Sequence, residues 1–447
     1  MLAKFTFRRR WNGFRPMFHM ICGRCIPRAW MPWLFICFFL LFPNEFLWLR
    51  ARNAEFQAEE INRENTLADK TLLRHQLLEV RLRSALSNPM AFTLNFTLPV
   101  LVLACDRPAV KRTLDSLLRY RSQLVGLSPH QFPIIVSHGC IHRPTRIVLD
   151  SYKSAIAVTE FVDKSPQSKS LSHITRGYQA VARHYKHALN RMFLQLNYSA
   201  VIIVEDDLDV AGDFFQYFAA TLPMLMDNQN LFCVSAWNDN GRPGLVDPSR
   251  PDLLYRTDFF AGLGWMLLRS FWLEINTNWP DIFWDEYVRK PYVRKNRTCL
   301  RPEVSRTITF GRMGISRGQF FDTYLSTMRL NEKWQNFLQL DLTYLHEPGY
   351  TKRWLDSVYN KSVEISLDQF LQGDLPNIST SSTRRLRVTY QSQADFEKIA
   401  RKLTLMRDIK SGVMRNGFVG VVPVKWKDRW IYIAPPSTWT GYDLSWT

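Results

Sequence analysis

YSAVIIVEDDLDV, residues 198 to 210, is the stretch of this 447-residue chain that decides its fold class. The apolar run at residues 201 to 204 predicts a strand that is buried on both faces, as in a parallel sheet. Three carboxylates follow it directly, Glu205, Asp206 and Asp207. They mark either the point where the chain meets water or a ligand site, because the carboxyl ends of parallel strands bind ligands and clustered carboxylates suit Mg²⁺ or Mn²⁺.

The segments before this strand predict an alternating α/β arrangement. Apolar strands are predicted at residues 98 to 107 (LPVLVLACDR) and 132 to 140 (FPIIVSHGC), and helices at residues 113 to 124 and 174 to 193. Strand and helix alternating at these spacings are typical of a parallel sheet with crossover helices. Neither GxGxxG nor GxxxxGK[ST] occurs there, so dinucleotide and P-loop chemistry are not supported.

The chain beyond about residue 331 has a different pattern. From residue 384 onward, RRLRVTY, DFEKIARKL, GFVGVVPVKW and RWIYIAP predict a small α+β module with a hairpin. The end of the chain, STWTGYDLSWT, is aromatic and polar.

The N-terminal region predicts a membrane anchor. Residues 30 to 49, WMPWLFICFFLLFPNEFLWL, carry one charge, Glu45, and are about long enough to cross a bilayer. Residues 1 to 29 contain Lys and Arg but no acid, so the positive-inside rule keeps them in the cytoplasm and places the body in a lumen. A cleaved signal peptide is the alternative, although no small-residue cleavage site follows the apolar run.

The residues after the anchor, 51 to 86, are rich in Glu, Arg, Gln and Leu and contain no Gly or Pro. They predict a helical stem, which either self-associates into a homo-oligomer or is a solvated spacer.

Cysteines, sequons and charge agree with a secretory-pathway protein. Four of the seven cysteines lie in the body, an even number that fits two disulfides with three alternative pairings. Five sequons begin at Asn95, Asn197, Asn296, Asn360 and Asn377. The net charge of +18 raises the question of a nucleic acid partner, but no nucleic-acid-binding motif accompanies it and part of it lies in the tail. We therefore expect a membrane and no nucleic acid as partner.

Several long motifs resemble one family. They are LPVLVLACDR, ARHYKHAL, VEDDLDVAGDFFQYF, CVSAWNDNG, RTDFFAGLGWML, WPDIFWDEYVRKP, RPEVSRTITFGRMGISRGQFFD and GYDLSWT. Together they are similar to the glycosyltransferases of the N-acetylglucosaminyltransferase I family, from about residue 98 to the end of the chain. The tail and the stem are outside this resemblance.

The resemblance implies a GT-A fold that moves GlcNAc from UDP-GlcNAc, with Mn²⁺, to a mannose of an oligomannose N-glycan in β1,2 linkage, with inversion. It implies that Asp207 binds the metal, and that Glu205 and Asp206 contact the donor sugar and ribose. A divalent ion would stabilise the charge that develops on the leaving diphosphate. With a single protein carboxylate on the ion, we expect metal and nucleotide to bind together.

On the acceptor side, the resemblance implies that Asp285, which follows Trp284 in FWDEYVRKP, is the base that takes the mannose hydroxyl proton. Trp284 is counted with the donor-binding residues. The local sequence by itself favours another interpretation, in which a carboxylate at this position is a helix cap or a first-turn charge.

Three more positions match nucleotide contacts of the family: Arg107, His184 and Ser316. Ser316 lies in GRMGISRGQ, whose glycines Gly311, Gly314 and Gly318 predict either a lid that closes over the donor or an ordinary flexible loop.

The cysteine positions also match the family and imply the bridges Cys105–Cys140 and Cys233–Cys299. Gly139 departs from the pattern, because the family has there an Asp that hydrogen-bonds the uracil. Losing that contact costs about 1–3 kcal/mol if it is buried, unless His138 replaces it.

The expected organisation is a cytoplasmic tail (1–29), a transmembrane anchor (30–49), a stem (50–96), a GT-A catalytic domain (97–330) and a smaller α+β C-terminal domain (331–447). This is the organisation of a single-pass type II Golgi enzyme. Two alternatives stay open: a related transferase acting on another mannose acceptor, such as O-linked mannose, and a lectin-like or scaffolding paralogue without turnover.

Overall fold

The apolar run at residues 201 to 204 forms the centre of a strand in the middle of an eight-stranded sheet. The computed structural model describes residues 96–164, 172–373, 375 and 385–446. Within the strand, Ile202 and Val204 pack into the core on one face of the sheet, and Val201 and Ile203 into the core on the other. Burial on both faces is why the run is apolar at every position instead of at alternate ones.

The sheet has the strand order β3-β2-β1-β4-β8-β6-β9-β7. Its strands are β1 (Val100–Ala104), β2 (Ile134–His138), β3 (Ala157–Glu160), β4 (Ala200–Glu205), β6 (Leu231–Ser235), β7 (Leu254–Thr257), β8 (Trp265–Leu268) and β9 (Thr298–Pro302); β5 (Leu208–Val210) and β10 (Thr307–Thr309) form a separate antiparallel pair.

The first four strands of the order are parallel to one another, which confirms the parallel arrangement predicted from the sequence. β1 lies between β2 and β4, so the ends of all three reach the same edge of the sheet. The remaining strands add both antiparallel and parallel pairs, so the fold is mixed α/β with a parallel-rich sheet.

Helices connect and cover these strands. They are α1 (Val110–Ser122), α2 (Arg143–Ser151), α3 (His173–Asn190), α4 (Phe214–Asp227), α5 (Arg269–Ile275), α6 (Trp284–Arg289) and α7 (Pro291–Arg294), followed by α8 (Gly349–Leu355), α9 (Leu367–Gln372) and α10 (Gln393–Leu403). The helices predicted at residues 113 to 124 and 174 to 193 correspond to α1 and α3. Neither α2 nor β3 is predicted by the sequence pattern.

A second sheet has the order β11-β12-β16-β15 and its own apolar core. Its strands are β11 (Ser362–Ile365), β12 (Arg385–Thr389), β15 (Val422–Trp426) and β16 (Arg429–Ala434), and the short pair β13 (Ile409–Lys410) and β14 (Val413–Met414) precedes the last two. β15 and β16 form the predicted hairpin. Its turn residues Lys427 and Asp428 both have positive φ, the backbone that a tight two-residue turn requires.

The predicted tail, anchor and stem lie outside the described residues, apart from the last residue of the stem range, and they stay predictions. So do the sequons at Asn95 and Asn377. In the part of the chain that the structure covers, no helix combines the length and apolar character of a membrane span.

Candidate active site

The acidic triplet lies at the carboxyl edge of the parallel strands, as the sequence predicted. Glu205 is the last residue of β4 and is opposite Leu103 of β1 in the parallel register. Asp206 is held from two sides: the Cys105 backbone N–H donates to its Oδ2 at 3.2 Å, and the Thr113 hydroxyl donates to its carbonyl at 3.1 Å. The residues that follow β1 therefore fix the loop that follows β4.

Arg107 lies against this triplet. Its Nη1 is 3.2 Å from Asp206 Oδ1 and forms an ion pair with Asp207 Oδ2 as well. Its Nη2 donates a 2.8 Å hydrogen bond to the Met313 carbonyl. Burial opposes the guanidinium charge, but the carboxylates of Asp207 and Asp206 outweigh it and raise the pKa of Arg107. The side chain thus joins the triplet to the 311–319 loop.

Burial also changes the titration of the triplet. It raises the pKa of Asp206 to about 7, against the opposing effect of Arg107. It raises the pKa of Glu205 well above the usual range too, with the charge of Asp207 as the next cause. Glu205 Oε1 accepts a 2.6 Å hydrogen bond from the Tyr185 hydroxyl on α3. Burial therefore opposes the charged forms of both Glu205 and Asp206.

The 311–319 loop covers the triplet. A Cβ on Gly311 would lie 1.9 Å from Asp207 Oδ2 and 2.7 Å from Arg107 Nη1, so this glycine is required by close approach and not by flexibility. Gly318 does have the left-handed backbone, with φ of 71°. Ser316 is exposed in this loop. Its role as a phosphate contact stays a prediction.

The residue predicted as the base lies at the start of α6. Asp285 is in the first turn of this helix and does not cap it, since the N-cap position is Phe283. Arg289 donates a 2.6 Å hydrogen bond to Asp285 Oδ2, and its Nε donates to the Phe260 carbonyl at 3.1 Å. The Asp285 side chain is 38% exposed, so its carboxylate is oriented by Arg289 while solvent or a ligand can still reach it.

Trp284 is buried beneath this position. Its ring stacks on Tyr185 with centroids 4.1 Å apart, and it lies parallel to Trp265 and Trp279 at 5.9 and 5.8 Å. The ring therefore supports the site from the core side. Its assignment to donor binding stays a prediction.

His184 lies at the edge where β2 ends. Its Nε2 is 2.9 Å from Ser137 Oγ, and its ring stacks on Phe161 at 5.7 Å. Burial, followed by the nearby His187, lowers the pKa of His184 to about 4, so the ring is neutral at physiological pH. It lies beside the carboxyl ends of β1 and β2, where a nucleotide contact was predicted.

The His184 ring lies directly against Gly139 and leaves no room for a side chain at that position. A Cβ on Gly139 would lie 2.3 Å from His184 Nδ1 and 2.4 Å from its Cε1. An aspartate at this position cannot coexist with the observed ring. His138, the expected replacement, is buried, and its Nε2 is 3.1 Å from the Cys105 carbonyl. The His184 ring occupies the space that a side chain at position 139 would enter.

Both disulfides form with the pairing that the resemblance implied. Cys105–Cys140 joins the residues just past the ends of β1 and β2, with Cα atoms 5.1 Å apart. Cys233–Cys299 joins β6 to β9 at a directly paired position of the sheet. The first bridge borders the site and the second lies within the sheet.

Sequence reasoning missed Tyr185, Arg289 and Lys410. Tyr185 contacts Glu205, Arg289 contacts Asp285, and Lys410 Nζ is 2.9 Å from Glu286 Oε1. Tyr185 and Arg289 stand inside motifs that were singled out, so their proximity to the named residues was the available signal. Lys410 belongs to the second module, more than a hundred residues away in sequence, and nothing in its surroundings indicated the contact.

Comparisons with known proteins agree on one family. The GNT-I family model matches residues 50–446 of the chain. An alpha-1,3-mannosyl-glycoprotein 2-beta-N-acetylglucosaminyltransferase of Arabidopsis thaliana is 36% identical over 324 residues, which are 72% of this chain and 70% of that protein.

Two solved structures illustrate the more distant similarity. TarS 1-349 of S. aureus covers 62% of this chain and 80% of its own, at 11% identity and a TM-score of 0.34. The mannosyltransferase PcManGT from Pyrobaculum calidifontis, in complex with GDP-Man and Mn²⁺, covers 41% of this chain and 48% of its own, at 15% identity and a TM-score of 0.27.

Proposed function

This chain belongs to the GNT-I family, and from that membership we propose that it is a UDP-GlcNAc-dependent N-acetylglucosaminyltransferase acting on mannosyl glycoproteins. It transfers GlcNAc to the α1,3-linked core mannose of an oligomannose N-glycan in β1,2 linkage. The observation that carries the proposal is the 36% identity, over 72% of this chain, to a transferase named for that activity.

The proposed reaction is a direct displacement at the anomeric carbon of GlcNAc. A mannose hydroxyl attacks the anomeric carbon of GlcNAc from the face opposite UDP. The bond from that carbon to the diphosphate oxygen breaks, its electron pair leaves with UDP, and the configuration is inverted. Asp285 accepts the hydroxyl proton, and Arg289 holds its carboxylate in place.

The donor side is assigned to residues that meet at the edge of the parallel strands. Glu205 binds the donor sugar and Asp206 the ribose, while Arg107, His184 and Ser316 contact the nucleotide. The contacts of Arg107 with Asp206 and with Met313 support this grouping, because they bring three separate chain segments to one place.

The residues present fit a divalent cation held with the nucleotide. The Arg107 guanidinium forms ion pairs with both Asp206 and Asp207, so a positive group already lies at this position. No group of three or more His, Cys, Asp or Glu side chains among the described residues could hold a metal. We assign Asp207 as its protein ligand; a bound Mn²⁺ would neutralise charge on the diphosphate.

The finer structural and cellular assignments belong to the same proposal. We assign the catalytic part to the GT-A class and the protein to the Golgi membrane, as a single-pass type II protein anchored by residues 30 to 49. The stem provides the surface for any homo-oligomer. The basic tail, the even number of cysteines in the body and the sequons support this orientation.

The test of the function is transfer of labelled GlcNAc from UDP-GlcNAc by the full-length chain in detergent. A Man5 N-glycan and an O-mannosyl peptide are compared as acceptors, each with Mn²⁺ and with chelator. Metal-dependent β1,2 product on Man5 is expected. Product only on the O-mannosyl peptide would establish the related transferase instead. UDP binding without product on either would favour the paralogue without turnover.

The metal assignment has its own test. Asp207→Ala is expected to weaken UDP binding in Mn²⁺ by about 10²-fold, because a contact between opposite charges worth roughly 3 kcal/mol is lost. Asp209→Asn is the matched control, since Asp209 pairs with Arg112 outside the site. Calorimetric titration with UDP measures both. An unchanged affinity in Asp207→Ala would remove Asp207 as the metal ligand.

A further inference from the structure

Tyr185 connects the donor side of the site to the acceptor side. It lies on α3 and is buried to 2% exposure. Its hydroxyl donates a 2.6 Å hydrogen bond to Glu205 Oε1, which fixes the rotation of that carboxylate. A hydrogen bond to one oxygen limits how the carboxylate can turn toward a ligand.

The ring of Tyr185 makes a second contact, on the opposite side of the site. It stacks on Trp284 with centroids 4.1 Å apart and planes 28° from parallel. Trp284 is the first residue of α6, and Asp285 follows it. The Trp284 ring also lies nearly parallel to the rings of Trp265 and Trp279. The helix that carries Asp285 is therefore packed against the same side chain that holds Glu205.

We propose that Tyr185 is a positioning residue for the transfer reaction, which orients Glu205 through its hydroxyl and sets the place of Asp285 through its stack on Trp284. The inference rests on the proposed function, because it requires UDP-GlcNAc as the donor. It predicts that two parts of one side chain affect different steps. The hydroxyl of Tyr185 affects binding of the donor sugar, and its ring affects the turnover rate.

The hydroxyl is tested with Tyr185→Phe in the full-length chain. We expect the dissociation constant of UDP-GlcNAc in Mn²⁺ to rise at least about tenfold, as for loss of a hydrogen bond in a buried site, while that of UDP changes by less than about twofold. The control is Tyr217→Phe, which removes another buried hydroxyl with a 2.6 Å hydrogen bond, here to the Ser235 carbonyl. It should leave the ratio of the two constants unchanged.

A double-mutant cycle tests whether Tyr185 acts through Glu205. Glu205→Ala by itself should weaken UDP-GlcNAc binding. Adding Tyr185→Phe to it should weaken that binding no further, because the carboxylate to be oriented is gone. If the two losses multiply, Tyr185 acts independently of Glu205 and the proposal is wrong. The same conclusion follows if Tyr185→Phe weakens UDP and UDP-GlcNAc equally.

The ring is tested with Tyr185→Leu against Tyr185→Phe. Phenylalanine keeps the stack on Trp284 and leucine does not, so the leucine variant should show a kcat at least about tenfold below that of the phenylalanine variant. Equal kcat values would overturn the connection to Asp285. Circular dichroism shows whether the leucine variant is folded, and the phenylalanine results decide the role of the hydroxyl in either case.

Failure of this inference is distinguishable from failure of the proposed function. If the wild-type chain binds UDP-GlcNAc and transfers GlcNAc, but Tyr185→Phe keeps the wild-type ratio of the two dissociation constants, the inference alone is wrong. If the wild-type chain neither binds UDP-GlcNAc nor transfers GlcNAc, the proposed function is wrong.

Discussion

The close approach of His184 requires a glycine at position 139, so any larger residue there should lower the free energy of unfolding. The His184 ring is buried, bonded to Ser137 and stacked on Phe161, so it has little room to move away. The glycine and the histidine thus form a matched pair, and each depends on the other.

Gly139→Asp is therefore expected to lower the free energy of unfolding by about 1–3 kcal/mol, the usual cost of overpacking. Urea unfolding followed by circular dichroism measures it. Gly441→Asp is the control: a Cβ there meets nothing within 4 Å, and the change should stay within about 0.5 kcal/mol. Full stability of Gly139→Asp would mean that the His184 ring lies elsewhere.

His184 gives the stability a pH dependence. Its pKa is about 4 in the folded chain, below the ordinary value of 6.5, because of burial and the neighbouring His187 and His138. A lowered histidine pKa contributes stability that is present above pH 6.5 and is lost as the pH falls toward 4. Between pH 7 and pH 4.5 the loss amounts to roughly 2–3 kcal/mol.

The measurement is urea unfolding of the wild-type chain and of His184→Gln at both pH values. Other groups titrate in the two proteins alike, so the difference of the two losses isolates His184. We expect the wild-type chain to lose roughly 2–3 kcal/mol more than the variant. Equal losses would show that His184 is not buried as a neutral ring.

Asp285→Asn tests the base. Without a carboxylate the side chain cannot take the hydroxyl proton, and kcat should fall by about 10²-fold or more while the UDP-GlcNAc affinity stays nearly constant. Glu286→Gln is the control, since Glu286 is also in the first turn of α6 but lies nearer to Lys410, at 2.9 Å, than to Arg289, at 3.6 Å. Steady-state kinetics and calorimetry measure the two quantities. Full turnover of Asp285→Asn would assign the base to another group.

At the residue scale, the sequence predicted where the acidic triplet lies but not most of the contacts that its residues make. The acidic triplet follows from an apolar strand that runs directly into carboxylates, a pattern with few structural interpretations. Tyr185 was missed because a tyrosine inside a helix carries no sign of what its hydroxyl meets. Gly311 was read as a flexible glycine, and only the coordinates reveal that Asp207 and Arg107 lie against it.

The two disulfides differ in the strands that they join and in their distance from the candidate site. Each closes a loop long enough to stabilise the chain by about 4 kcal/mol through chain entropy, because the sequence separations of the partners are 35 and 66 residues. Only Cys105–Cys140 joins the ends of β1 and β2 next to Asp206 and His184. Its removal should therefore affect the site as well as the stability.

We expect replacement of Cys105 and Cys140 by serine to lower both the free energy of unfolding and the UDP affinity, the latter by about tenfold or more. Replacement of Cys233 and Cys299 should lower the free energy of unfolding by a similar amount and leave the UDP affinity near that of the wild-type chain. Urea unfolding and UDP titration are compared across the two variants. Equal loss of UDP affinity in both would contradict the special position of the first bridge.

At the element scale, parallel strands were predictable and edge elements were not. β1, β2 and β4 are buried runs of apolar residues, so hydrophobic pattern identifies them. β3 is at the sheet edge and partly exposed, and its sequence AVTE carries no such pattern. The positions of β6 to β9 depend on pairing between distant segments, which a single sequence does not encode in any local signal.

For the whole molecule, the orientation across the membrane is the prediction that remains to be measured. The described sequon asparagines Asn197, Asn296 and Asn360 are all exposed, so glycans would fit at each. A lumenal body should lose apparent mass on treatment with an N-glycosidase, one step for each occupied site. In intact microsomes it should resist added protease. The basic tail should stay accessible there.

Replacement of any one of these asparagines by glutamine should reduce the apparent mass of the untreated protein by one glycan, if that site is occupied. A body that shows no glycosidase shift and is digested in intact microsomes would face the cytoplasm, and the type II orientation would be wrong. At this scale the prediction rests on the hydropathy of the anchor, whose residues lie outside the described part of the chain.

The Arg107 guanidinium between the carboxylates of the triplet has a kinetic consequence. If Asp207 binds the metal as proposed, a divalent cation would take a place that the Arg107 guanidinium now holds, so its uptake would exchange one positive group for another. Since the same side chain holds the Met313 carbonyl, this exchange would also break a contact with the covering loop. The observed rate of uptake should therefore level off at high metal concentration, at the rate at which arginine leaves.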